Sequence, residues 1–321
     1  MPADIHLLSV LLSIMLPIAL GYGLKQLRVF REEEVAALRK FVMKVCIPFL
    51  IFANLYHADM ASLLQALPIV CAFVLLTALY TLVAAAAAPR LAPDASRRLT
   101  FAFSVFAGNY AFLGWGIISS FFGDQALIRA VFFSMFFWPV FLVSGFFLRR
   151  RLGSGLDQAG HVSFGIILLR NAGVPIGAAL TALLSNIAQV RLPVVVDDFV
   201  SRFAAIAIPL ILFAIGQNVR LLMPRSMLKL VAAASALRLV FGFVLGLAVW
   251  AVLRLVFSVD NLSSRVILLQ SVMPTATMST FFAEYAPLDE ELLAGIIAVS
   301  TLLSFVTLPL WVTAIEALVP R

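Results

Sequence analysis

Gly108-Asn109-Tyr110-Ala111-Phe112-Leu113-Gly114-Trp115-Gly116 lies in the middle of an apolar run that extends from about residue 98 to 121. A run of that length can cross a bilayer as one helix, which takes roughly 20 apolar residues. Its centre is nevertheless poor helix material, because it gathers Gly108, Gly114 and Gly116 around the amide of Asn109. A second run, from about 262 to 283, carries a corresponding defect in Leu269-Gln270-Ser271-Val272-Met273-Pro274-Thr275-Ala276-Thr277-Met278-Ser279. Pro274 cannot complete the ordinary helical hydrogen bond, and its ring clashes with the preceding turn. Two spans interrupted at their centres point to an all-α membrane protein with broken helices, in which irregular backbone lines a polar site.

The rest of the chain fits that solvent. Of 321 residues, 63% are hydrophobic and 12% charged, whereas soluble chains sit near about 45–50% and about 25%. Ten apolar stretches follow one another, at about 6–24, 36–56, 63–88, 98–121, 127–148, 162–186, 196–218, 227–257, 262–283 and 291–317. They are long and unbroken rather than alternating, which disfavours a β-barrel. The first lacks a positively charged flank and reads as a retained helix rather than a cleaved signal. Cys46 and Cys71 offer neither a disulfide framework nor metal-ligand spacing.

The net charge of +7 falls in the connectors, which indicates topology and excludes nucleic acid as the partner. One set of connectors carries Lys25, Arg28, Arg31, Arg39, Lys40 and Lys44, then Arg90, Arg97 and Arg98, then Arg149, Arg150 and Arg151, then Arg220, Arg225 and Lys229. The alternate connectors are sparser, with Arg129, Arg191, Arg202 and Arg265. The positive-inside rule places the basic set in the cytoplasm and both termini outside. The acidic connector Asp289-Glu290-Glu291 adds nothing to that assignment.

An internal repeat divides the chain. Ile47-Pro48-Phe49-Leu50-Ile51-Phe52-Ala53 matches Ile208-Pro209-Leu210-Ile211-Leu212-Phe213-Ala214, five stretches later. Leu16-Pro17-Ile18 and Val174-Pro175-Ile176 correspond in the same way, as do Pro139 and Pro309. The expected domains are residues 1–150, a cytoplasmic linker at 151–161, and residues 162–321. An odd number of crossings per repeat inverts the second relative to the first, a recurring basis of alternating access.

Candidate site residues follow from the breaks. A helix interrupted in mid-membrane exposes N–H groups that can face an anion. Asn109 and Gln270 fall at corresponding positions and can flank a carboxylate, with Gly108, Gly114, Pro274 and Thr275 beside them and Gly116 and Pro274 as the breaking residues. Close packing through small residues is the structural alternative for the glycines, and a repaired kink for Pro274. Arg170 and Arg238 lie inside apolar stretches. Snorkelling to the cytoplasmic ends is expected of them, with attraction of an anion as the alternative. No clear carboxylate occupies a span centre: Glu284 and Glu316 lie near helix ends, and Asp197 and Asp198 near an interface. His6, His57 and His161 are scattered, and no phosphate-binding glycine loop is present, so neither an enzyme nor an ATP-driven carrier is expected.

These segments together resemble the auxin efflux carrier family, which includes proteins called malonate permeases. The likeness is carried by Leu16-Pro17-Ile18-Ala19-Leu20-Gly21-Tyr22, Ile47-Pro48, Gly108-Asn109 with Phe112-Leu113-Gly114, Ile208-Pro209, Met273-Pro274-Thr275-Ala276 and Ser304-Phe305-Val306-Thr307-Leu308-Pro309-Leu310-Trp311. The resemblance implies ten helices in two inverted five-helix repeats, with broken crossover helices four and nine, as in sodium/proton antiporters and bile-acid symporters. It implies a mobile transport part, and a scaffold of helices one, two, six and seven containing Pro48 and Pro209, through which a homodimer can form. It places the family's substrate-site asparagine on Asn109 and its crossover proline on Pro274. Many relatives have a proline where this chain has Gly116, with Trp115 before it. The expectation is therefore a secondary transporter of small, malonate-like organic anions in a bacterial inner membrane. It needs no cofactor, and coupling to H+ or Na+ is left open. A sodium-coupled bile-acid-like symporter and a nontransporting receptor or assembly protein are the alternatives.

Overall fold

A computed structural model describes residues 3–59, 63–153, 164–218, 224–284 and 286–320. Most of the expected linker, Arg220, His161, and the side chains of His6, Arg170 and Glu284 lie outside what is described. Within these bounds the chain is helical; the described residues contain no strand, only an isolated antiparallel bridge between Gly108 and Thr275.

The helices, in chain order, are α1 (Ala3–Gln26), α2 (Glu32–Phe41), α3 (Ile47–Tyr56), α4 (Ala66–Leu91), α5 (Ala95–Phe106), α6 (Gly114–Phe122) and α7 (Asp124–Ser134). They continue as α8 (Phe137–Leu152), α9 (Phe164–Ile187), α10 (Val194–Asn218), α11 (Leu228–Ala236), α12 (Gly242–Val256), α13 (Asn261–Ser271) and α14 (Glu290–Leu318). Wide π-helical turns at Val42–Cys46 and Leu237–Phe241 join α2 to α3 and α11 to α12. Among the described residues, four helical segments are long and apolar enough to cross a membrane: Ala66–Leu91, Val194–Gln217, Arg225–Val256 and Glu290–Leu318. A fifth is reached if Asp124–Ser134 and Phe137–Leu152 count as one span.

Two compact units divide these elements. The first comprises 1–66, 111–135 and 169–218, and the second 67–110, 136–168 and 219–321. The expected boundaries follow the repeats, whereas each compact unit takes elements from both halves of the chain.

In the first unit α1 and α10 touch backbone to backbone. A Cβ on Gly21 would run into the Phe213 carbonyl, and one on Gly216 into the Ile18 carbonyl. Small residues on both helices allow this close approach, the usual device where lipid cannot drive helices together. Phe49 of α3 packs on Phe199 and Phe203 of α10, with ring centroids 5.5 and 5.2 Å apart. Pro48 follows directly on the wide turn at Val42–Cys46, and Pro209 lies within α10.

In the second unit α5 and α13 are built alike. Asp94 caps α5 by accepting from the Arg97 N–H at 2.9 Å, and Asp260 caps α13 by accepting from the Ser263 N–H at 2.6 Å. The helices run for 12 and 11 residues before they stop.

Candidate functional site

Each of these short helices ends in a completely buried environment: Phe106 and Ser271, their last residues, have no exposed surface. The final carbonyls of a helix have no intrahelical donors, and lipid offers none. Those at the end of α5 find partners in the other broken segment. Ser279 Oγ donates to Phe103 O at 3.1 Å and Thr275 Oγ1 to Ser104 O at 2.9 Å. The Ala276 N–H donates to Ala107 O at 2.9 Å, and the Asn109 N–H to Pro274 O at 2.8 Å. At the end of α13, Ser271 Oγ donates to Leu268 O at 2.7 Å, and Tyr80 Oη to Ser271 O at 2.7 Å. Two interrupted helices therefore meet here, and the segment after α13 supplies the donors that the end of α5 lacks.

Arg238 supplies the remaining donors. Its side chain is completely buried, Nε and Nη2 donate to Met273 O at 2.9 and 2.6 Å, and Nη1 reaches Val105 O and Tyr110 Oη at 3.4 Å each. The guanidinium carbon lies 4.1 Å from the centroid of the Tyr80 ring and 5.4 Å from that of Tyr110. A helix C-terminus carries roughly −0.5 of an elementary charge, so the two ends together come close to balancing this one cation. The expected snorkelling of Arg238 is corrected accordingly. A buried guanidinium with five fixed donors gains more from helix-end carbonyls than from reaching water.

Glycines make room for this arrangement. A Cβ on Gly108 would collide with Arg238 Nη2 and the Tyr110 ring. Gly242 and Gly246 of α12 lie against the Ser271 backbone and side chain, and Gly242 also against Tyr80 Oη. The π-helical turn at Leu237–Phe241 leaves the Arg238 carbonyl able to accept from Tyr80 Oη at 3.2 Å.

The structure brings together Gly108, Asn109, Gln270, Pro274 and Thr275, all in the second unit. Gln270 is fully buried and its Nε2 donates to Tyr110 O at 3.2 Å. Asn109 is buried, with its backbone N–H on Pro274. Gly114 and Gly116 belong to the first unit, inside α6, and the interruption of the fourth stretch falls at 107–113 rather than at Gly116. Trp115 is tied down locally: its Nε1 donates to Ala130 O at 3.1 Å and Ser134 Oγ at 3.0 Å, both in α7. The exposed N–H groups expected at the breaks are not free, since those of Asn109, Thr275 and Ala276 are bonded to Pro274 O, Ser300 Oγ and Ala107 O.

Sequence reasoning passed over Tyr80, Tyr110 and Ser300, and misplaced Arg238. A cation at the centre of an apolar stretch, with glycines four and eight residues later, was the available signal.

Known proteins resemble the chain over nearly its whole length. The family model described as membrane transport protein matches residues 6–159 and 166–312. An uncharacterized transporter of Methanothermobacter thermautotrophicus is 28% identical over 303 residues, covering 94% of this chain and 95% of that protein. An uncharacterized transporter of Methanocaldococcus jannaschii is 23% identical over 312 residues, covering 95% of this chain and 97% of that one.

Proposed function

The chain belongs to this membrane transport family, that of the auxin efflux carriers, and on that premise we propose that it is a secondary carrier of small organic anions working by alternating access. The observation that carries the reading is the antiparallel Gly108–Thr275 bridge, where two interrupted helices meet in a buried place. Broken helices crossing at a buried point recur where secondary transporters hold their substrates. In this reading ten helices form two inverted five-helix repeats, and the matched caps Asp94 and Asp260 before matched short helices support that symmetry. The basic connectors face the cytoplasm, both termini lie outside, and the bacterial inner membrane is the site of action.

Asn109, Gln270 and Thr275 contact the substrate. Arg238 keeps the crossover electrically balanced, so that an arriving anion meets a near-neutral site rather than the bare negative ends of two helices. The amides of Asn109 and Gln270 suit the carboxylates of a small, malonate-like anion.

Uptake of radiolabelled malonate into proteoliposomes tests the proposal, under imposed sodium, proton and no gradients. Saturable uptake that Asn109→Ala reduces, with the variant still in the membrane, is the expected result; unchanged uptake in the variant removes Asn109 from the site.

A further inference from the structure

Only half of the Gln270 amide is used. Nε2 donates to Tyr110 O at 3.2 Å, while Oε1, equally buried, has no hydrogen-bond partner. Turning the amide over offers no remedy, because the oxygen would then face the Tyr110 carbonyl and the nitrogen would lose its acceptor. A buried acceptor left this way keeps its desolvation cost uncompensated.

The neighbouring backbone N–H groups and the guanidinium are committed. The N–H groups of Asn109, Thr275 and Ala276 serve Pro274, Ser300 and Ala107. Arg238 is bonded to Met273, Val105 and Tyr110. A ligand reaching Oε1 must therefore bring its own donor. A fully ionised carboxylate is all acceptor and would be repelled. A metal cation would share this buried region with a fixed positive charge, since Arg238 Nη1 lies 3.4 Å from Oη of Tyr110, the residue whose carbonyl Gln270 holds.

We infer that the substrate presents an O–H to Gln270 Oε1. It is a monoanion with one carboxylate and one O–H, either the hydrogen form of a dicarboxylate or a hydroxy-monocarboxylate. This rests on the carrier reading above and narrows its substrate. For a dicarboxylate the proton crosses on the substrate itself, bonded to its second carboxyl throughout. No protein carboxylate is required to relay it. Among the described side chains of the second unit, the acidic ones sit at helix ends: Asp94, Asp260 and Asp289 at caps, Glu290 and Glu291 in the first turn of α14, and Glu316 in its last turn.

The test uses the full chain in proteoliposomes with equal pH on both faces, and compares radiolabelled malonate, lactate and propionate. Malonate uptake at fixed total concentration is expected to fall about tenfold per pH unit above its second ionisation, as the hydrogen form disappears. Lactate uptake should stay level over the same range, and propionate, which lacks the hydroxyl, should enter about tenfold more slowly or worse. Gln270→Leu should bring the lactate-to-propionate ratio towards one; the wild-type comparison decides the matter even if that variant does not fold. Level malonate uptake, with lactate and propionate equal in the wild type, overturns the inference while leaving carriage intact. A sodium requirement lost in Gln270→Leu overturns it in favour of a cation at Oε1. No saturable flux of any of the three acids rejects the carrier reading for them, and the inference with it.

Discussion

Arg238 holds the carbonyl oxygen of Met273 with two donors, Nε at 2.9 Å and Nη2 at 2.6 Å, so that a side chain from one helical segment closes the break in another. The same guanidinium reaches Val105 O at the end of the other broken helix. One cation thus answers two helix ends, and removing it leaves both ends without charge compensation.

Arg238→Met should therefore destabilise the purified protein by about 2–6 kcal/mol, about 1–3 for each of the buried carbonyls of Met273 and Val105 left without a donor. Arg238→Lys keeps the charge but loses the planar fork, and should fall between the two. Apparent melting temperatures in detergent measure this. A methionine variant as stable as the wild type would remove Arg238 from its assigned place.

Gly108→Ala puts a methyl group against Arg238 Nη2 and the Tyr110 ring. A cost of about 1–3 kcal/mol is expected, as for other overpacked sites. Gly173→Ala is the matched control: a Cβ there meets nothing within 4 Å, and alanine should be neutral or stabilising by up to about 1 kcal/mol. Equal losses in the two variants would mean that space at Gly108 is not what matters.

Tyr80→Phe removes the donor to Ser271 O and Arg238 O but keeps the ring beneath the guanidinium. About 1–3 kcal/mol should be lost, since buried acceptors go unmet. Tyr80→Leu removes the ring as well and should cost roughly 2 kcal/mol more. Thermal denaturation of both variants separates the hydrogen bond from the cation–π contribution.

Gly21 and Gly216 test the packing of the first unit. Each alanine substitution alone should cost about 1–3 kcal/mol, because its Cβ meets the opposing backbone. Once either has pushed the helices apart, the second should cost less, so the double variant should lose less than the sum of the two. Strict additivity would show that the two contacts are independent.

Much of the fold was legible because a bilayer imposes it locally. Each apolar stretch must satisfy its own backbone, so length and composition suffice to specify helices. The breaks were legible for the same reason: Gly108 and Pro274 announce positions where a helix cannot continue. Gly116 misled because glycine permits a break without requiring one, and here it lies inside α6 against Ile208 and Leu212. Thr275 was recognised as part of the crossover, although its hydroxyl serves first as a cap for the Ser104 carbonyl, 171 residues away.

What the amino-acid sequence determined by itself is a helical membrane protein with two apolar stretches interrupted near Gly108 and Pro274, and a family likeness carried along its length. What only the tertiary structure decided is which groups answer the broken ends. Arg238 finds its carbonyl partners 35 and 133 residues away in the chain. No helical period encodes such a pairing. A charged side chain in an apolar stretch can snorkel or be buried, and the choice turns on whether folding brings unsatisfied carbonyls within its reach.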